Sequence, residues 1–183
     1  MKELSLNVLD IAQNSIKARA TLVGIFIEET TDTMKITVSD DGCGMKQDFL
    51  VTVTDPFSTT RTTRKVGMGI PLLKLQAEQT GGEFGITSRH EDEFPKDHGT
   101  KTEALFFKNH IDMTPLGDIT ATVVALIQCN PDIDFVFNHT TQNGQVALDT
   151  REMREILGDI PLNSMEIIVW ITENLREQYN QLS

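Results

Sequence analysis

The sequence predicts an α+β fold. Three observations carry this reading: an amphipathic helix opens the chain, two pairs of alternating strands follow with a helix between them, and the last third again mixes a hairpin with helices. The 183 residues suffice for one domain, or for one domain with a small appendage. A 39% hydrophobic content, with 12 glycines besides, is ordinary for a globular chain and too apolar for a disordered one.

The elements follow in order. Leu4, Val8, Ile11, Ser15 and Ala18 recur on one helical face. Thr21–Glu29 alternates as a strand, and Met34–Ser39 is a second strand with Ile36 and Val38 on one face. Asp40-Asp41-Gly42-Cys43-Gly44 then breaks the strand. Residues 54–66 are polar and threonine-rich, which predicts a mobile loop. Ile70–Thr80 reads as a helix ended by Gly81-Gly82. Gly85–Arg89 and Thr100–Phe107 are two more strands around an acidic loop at 90–98. Beyond them, Asp112 or Thr114 is expected to cap a helix with Pro115 in its first position, running to about Gln128. Ile133–His139 and Gln145–Asp149 flank Gln142-Asn143-Gly144, a hairpin signal. Asp149 and Glu152 form a capping box for a short helix ending at Gly158. A last helix from Ser164 aligns Met165, Ile168, Ile171, Leu175, Tyr179 and Leu182, and Phe135, Phe137 and Trp170 are expected in the core.

Charge narrows the function classes. The net charge of −11 gives no bulk attraction to nucleic acid or to acidic membranes. Two cysteines, Cys43 and Cys129, make no disulfide framework and fit a reducing compartment. No apolar run reaches the ~20 residues of a membrane span, and Glu3, Asp10, Lys17 and Arg19 exclude a signal peptide. A soluble, cytoplasmic protein is expected. Residues 1–109 carry net −3 and residues 110–183 carry net −8, with no lysine after Lys108. We therefore place a boundary near 110, between a first domain and a small acidic α+β region without an assigned role.

Walker A, dinucleotide, His-Glu-x-x-His, paired Cys-x-x-Cys and calcium-loop motifs are absent. Four short blocks remain. Asp10 and Asn14 lie four apart on one helix face, where a carboxylate and an amide oxygen can hold hydrated Mg²⁺ and orient a water near phosphates. Asp40-x-Gly42-x-Gly44 places a carboxylate at a strand end, where it can accept from an adenine amino group while backbone approaches the ring. Asp55-Pro56-Phe57-Ser58-Thr59-Thr60-Arg61 leads through Arg64 and Lys65 to Gly67-Met68-Gly69 and a helix start, a suitable cradle for phosphate oxygens. Gly99-Thr100 brings a hydroxyl that can support the carboxylate or reach a base through water.

In this order and spacing, the blocks over residues 3–107 resemble the GHKL, or Bergerat-fold, ATP-binding superfamily of gyrase B subunits, heat-shock chaperones, sensor histidine kinases and mismatch-repair ATPases. Asn14-Ser15 through Ala20-Thr21 looks like the mismatch-repair N box and Asp40–Met45 like its G1 box, whereas the third block is closer to sensor kinases. The resemblance implies an α/β sandwich, a mixed sheet with helices on one face, and ATP with Mg²⁺ as cofactors. By matching position, it implies that Asn14 binds Mg²⁺, that Asp40 reads the adenine, and that Gly42, Gly44, Met45, Gly67, Met68 and Gly69 shape the pocket and hinge. Arg61 would reach the terminal phosphate, Thr100 would support the base, and Asp10 would stand where many relatives carry a glutamate general base. Asp10 is one methylene shorter, so slow hydrolysis is expected. Pro71 replaces a third G2 glycine.

No lysine follows Lys108 to serve as the phosphate-contacting lysine of a second domain, which sets aside the topoisomerase and mismatch-repair readings. His110-Ile-Asp-Met-Thr114-Pro115-Leu116 only partly echoes a kinase H box, and no histidine-bearing helix precedes the N box. The expected function is thus a signalling kinase acting on a separate protein phosphoacceptor. The alternative is a nucleotide-gated binding module with slow or no hydrolysis. Neither nucleic acid nor membrane is expected as a partner, and the final helices are compatible with a homodimer.

Overall fold

The computed structural model describes residues 3–54 and 68–182. Helix α1 (Leu4–Lys17) is followed by strands β1 (Leu22–Glu29) and β2 (Thr33–Asp40). Then come α2 (Gln47–Val53), α3 (Gly69–Gln79), β3 (Glu83–Arg89) and β4 (Gly99–Phe107). The last third holds α4 (Ile119–Cys129), β5 (Asp134–Thr141), β6 (Gly144–Asp149), α5 (Thr150–Leu157) and α6 (Met165–Gln181).

All six strands join one mixed sheet in the order β3-β4-β2-β1-β5-β6. Only β1 and β5 run parallel; the other neighbours are antiparallel. The period-two alternation decides which face is covered. Val23, Ile25 and Ile27 of β1, Ile36 and Val38 of β2, Ala104 and Phe106 of β4 and Phe135 and Phe137 of β5 are all buried. The opposite face is polar, where Lys35 and Lys101 both reach Glu103 at 2.9 and 3.0 Å. The helices form one layer in which α3, α1, α4 and α6 pack each on the next, in the same order as the strands beneath them. Residues beyond 110 thus add β5 and β6 to the sheet and α4 to the helical layer beside α1.

Three expectations change. The helix expected from Pro115 starts at Ile119, where the Asp118 carboxylate accepts from the Ala121 amide at 2.8 Å. The stretch before it is used elsewhere. The Pro115 and Leu116 carbonyls accept from the Leu4 and Ser5 amides at 2.9 and 2.8 Å, which serves the otherwise unpaired N-terminal amides of α1. Helix α2 was not expected. It has seven residues, buries only Val53 and has no side-chain cap, so it shows neither period nor start signal. On α6, Ile168, Ile171 and Leu175 face inward as expected, but Met165 is 72% and Trp170 51% exposed. Both lie away from the buried row once the 100° step per residue is followed.

On the inner strand β5, toward the strand ends remote from Asp40, His139 is buried. Its Nδ1 lies 2.8 Å from the Tyr179 hydroxyl and its Nε2 3.1 Å from Glu29, which also pairs with Lys108 at 2.5 Å. This suits a neutral ring that accepts from Tyr179 and donates to Glu29. Burial lowers the His139 pKa; Glu29 opposes the shift and Lys108 adds to it. The unfolded chain therefore takes up this proton first, and the contribution is present above about pH 6.5 and lost as pH falls through the lower, folded value. Denaturation midpoints should fall between about pH 7 and 5.5 with a slope of at most about 1.4 kcal/mol per pH unit from this group, and His139→Gln should flatten that slope.

Candidate functional site

Strand β2 ends at Asp40 beneath the C-terminal half of α1. Burial pushes the Asp40 carboxyl up from its usual range. Hydrogen bonds from the Ser15 hydroxyl at 2.5 Å and the Gly42 amide at 2.9 Å, with the Thr100 backbone, oppose that shift. Asp41 faces the other way. Its carboxylate accepts from the Thr21 and Leu22 amides at 2.7 and 2.9 Å and from the Thr21 hydroxyl at 2.5 Å, and so fastens the start of β1. Burial favours protonation of Asp41 too, but these donors outweigh it and hold the group below its usual value.

The turn after Asp40 is pinned on both sides. The Cys43 amide donates to the Ala18 carbonyl at 2.8 Å, and the Gly42 carbonyl lies 2.7 Å from His98 Nδ1. Gly44 has φ +67°, and a Cβ there would run into the Arg89 carbonyl, so only glycine passes. Ser88 closes the floor. Its Oγ accepts from the Met45 amide at 2.7 Å, donates to the Gly99 carbonyl at 3.1 Å and lies 2.8 Å from the Thr100 hydroxyl. With its single proton given to Gly99, Ser88 accepts from Thr100, which uses every bond the hydroxyl can make.

The face of α1 that bears Asp10 and Asn14 turns toward α3. Asp10 Oδ2 accepts from the Gly69 amide, the first of α3, at 2.6 Å. A Cβ on Gly69 would come within 2.5 Å of that carboxylate oxygen, so the closeness depends on glycine. Asn14 Nδ2 is buried without a hydrogen-bond partner among the described residues. Met68, at the N-cap of α3, is 63% exposed. Arg61, Gly67 and the rest of the block from Asp55 lie outside the described residues.

The description "Histidine kinase-, DNA gyrase B-, and HSP90-like ATPase" names the family model that matches residues 2–111. The chain belongs to this family. Residues 2–111 accordingly carry an ATP-binding domain of the GHKL type. Two DNA mismatch repair MutL proteins of Listeria monocytogenes serotype 4b, from strains F2365 and CLIP80459, are 28% and 27% identical over 188 aligned residues. Each alignment covers 84% of this chain and 30% of the relative, so the chain spans under a third of these relatives. Among solved structures, the Aquifex aeolicus MutL ATPase domain complexed with ADP superposes with TM-score 0.52 at 16% identity, covering 97% of this chain and 70% of that one. The N-terminal domain of a DNA repair protein gives TM-score 0.55 at 14% identity over 81% of this chain and 53% of that one. These two show the shared fold. The mismatch-repair resemblance, set aside on the missing lysine, is the one that these relatives carry.

Within this GHKL domain, the structure brings Asp40, Gly42, Gly44, Met45 and Thr100 together around one floor, and Asp10 and Gly69 together above it. Sequence reasoning missed Ser15 as a donor to Asp40 and Ser88 as the bridge between Met45 and Thr100. Ser15 carried a signal, a hydroxyl among the apolar positions of α1. Ser88 carried none beyond lying in a strand. His110 sits in the turn after β4, whose end at Phe107 is seven residues past Thr100, or about 23 Å along the strand at ~3.3 Å per residue.

Ser15→Ala removes a charge-assisted donor. It should cost about 1.5–3 kcal/mol near neutral pH and raise the Asp40 pKa further. Denaturation and carboxyl NMR titration of both forms check this; an unchanged Asp40 titration would show that the 2.5 Å contact does not hold the charge.

Proposed function

We propose that this chain is a Mg²⁺-ATP switch, which changes the relation of α1 to α3 when nucleotide binds and hydrolyses it slowly. The carrying observation is the Asp10–Gly69 contact of 2.6 Å. The first amides of a helix attract anions, and here a carboxylate already takes one of them. A phosphate oxygen competes for the same donor, so two states differ in what α3 holds. The same bond explains slow chemistry. A general base must reach the attacking water, and Asp10 is short and engaged.

The other roles follow from the site. Asp40 accepts from the adenine amino group, being a half-buried carboxylate with spare acceptor capacity beside Gly42. Asn14, whose amide nitrogen lacks a partner among the described residues, turns its oxygen to the cation. Asp10 stands on the same face, and this hard oxygen pair suits Mg²⁺, which would supply charge neutralisation for the phosphates. By the family resemblance Arg61 would meet the terminal phosphate and Gly67, Met68 and Gly69 would form the hinge, Arg61 and Gly67 lying outside the described residues, while Ser88 and Thr100 hold the floor. The named relatives act in DNA mismatch repair. A role beside DNA would run through a protein partner, since the net charge of −11 repels phosphates. A second reading, phosphoryl transfer to a separate protein, is favoured by the kinase-like sequence Asp55-Pro56-Phe57. His110 is no acceptor within one chain, given the span of β4.

Calorimetry with Mg²⁺-ATP, with γ-labelled ATP followed in parallel, tests this. ATP should bind, and free phosphate should appear slowly and without protein-bound label. Asp40→Asn should weaken binding about 10- to 100-fold while leaving the melting temperature of the ligand-free protein equal or higher, because a buried charge is removed. Asn14→Ala should remove the Mg²⁺ dependence. Label transferred to a protein would favour the kinase reading, and absence of ATP binding at millimolar nucleotide would overturn both.

A further inference from the structure

The exposed side of α6 has a composition that its fold does not require. Met165 is 72%, Val169 46% and Trp170 51% exposed, the adjacent Val169 and Trp170 about one turn on from Met165, on the side away from buried Ile168, Ile171 and Leu175. Glu166, Glu173 and Glu177 lie among them at helical spacing, all exposed. None of the three has an ion-pair partner among the described residues; Arg151 and Arg154 are taken by Asp149 and Asp134, and the exposed Arg176 is the one cation on this side of α6 among the described residues, so the face stays net negative. A half-exposed tryptophan beside aliphatic neighbours is the usual centre of an interface, and no element of this chain among the described residues packs on that side of α6.

We infer that this face of α6 docks a basic amphipathic segment of a partner protein. Charge selects the occupant. A second copy meeting face to face would bring two surfaces of the same net negative sign together, three glutamates against the single Arg176 on each, which disfavours a symmetric dimer here. Nucleic acid and acidic membranes meet the same repulsion from a region of net −8. A segment with Lys or Arg around an aliphatic stripe satisfies both the carboxylates and the apolar centre. The surface is separate from the Asp40 site, so failure of one reading leaves the other standing.

The protein has a single tryptophan, so its fluorescence reads this face alone. The probe is a synthetic, tryptophan-free helical peptide of about 16 residues with Lys and Leu at amphipathic spacing, compared with the same peptide carrying Glu for Lys. The Lys peptide should shift Trp170 emission to the blue in a saturable way, and binding should weaken at least about tenfold between low and physiological salt. Glu166→Lys with Glu173→Lys should weaken binding about tenfold or more, as should Val169→Ser, which leaves the charge intact. Glu28→Lys with Glu83→Lys, exposed on other elements, should leave it within about twofold. Equal binding by the α6 variants, equal binding of the Glu peptide, or an emission shift produced by protein concentration alone would each overturn the proposal.

Discussion

Helix α1 is the member on which the rest of the structure depends. Its first amides are served by the Pro115 and Leu116 carbonyls, and the Ala18 carbonyl at its other end receives the Cys43 amide. Between them Ser15 reaches Asp40 on the sheet and Asp10 reaches Gly69 on α3. Its apolar residues Leu4, Val8, Ile11 and Ala12 cover the centre of the sheet. One helix thus fastens β2, α3 and the approach to α4, and a displacement of α1 is felt by each of them. The segment that looked like a helix start, Pro115-Leu116, is extended because α1 needs its carbonyls more than α4 needs another turn.

Much of this was legible in the sequence because the sheet has one covered face. Alternation in Met34–Ser39 and Thr100–Phe107 survives into the register Ile36↔Ala104 and Met34↔Phe106 without a slip. The Asn-Gly signal placed the hairpin between β5 and β6, and Asp149 caps α5. Element order did not reveal that β5 lies parallel to β1, since sequence patterns of this kind are local and a crossover is not. Helix α2, with one buried residue, left no periodic trace. Trp170 was misplaced by hydropathy alone. A large apolar side chain is usually inside, and the exceptions are the informative cases.

The candidate site was legible in its acids and glycines, and much less so in what holds them. Asp40 and Asp41 are adjacent and chemically identical, yet one is raised and the other lowered by its surroundings. The difference is burial. Each carboxylate gathers amides and a hydroxyl, but Asp41 does so at an exposed strand start, while Asp40 sits deeper, where desolvation outweighs Ser15, Gly42 and Thr100. A motif spelled Asp-Asp-Gly-x-Gly cannot say which carboxylate is structural and which stays free to take a further donor. Strand register does: Asp40 lies opposite Thr100 inside the ladder, and Asp41 is already past its end.

The cost of polar burial points to the same place. Asn7, fully buried, leaves both amide atoms without a partner among the described residues, and Asn14 leaves one. With Asp10 between them, these residues stand at i, i+3 and i+7 on a single face of α1. Each buried amide atom left unpaired costs about 1–3 kcal/mol, and an aliphatic side chain at Asn7 would avoid that cost. A fold selected for stability alone has no reason to line the α1–α3 contact with amides and a carboxylate. A contact that must exchange partners does, since polar side chains can trade hydrogen bonds where an interlocked apolar seam cannot slide. At the middle of this polar stripe Asp10 meets the first amide of α3, at the bond a phosphate would contest.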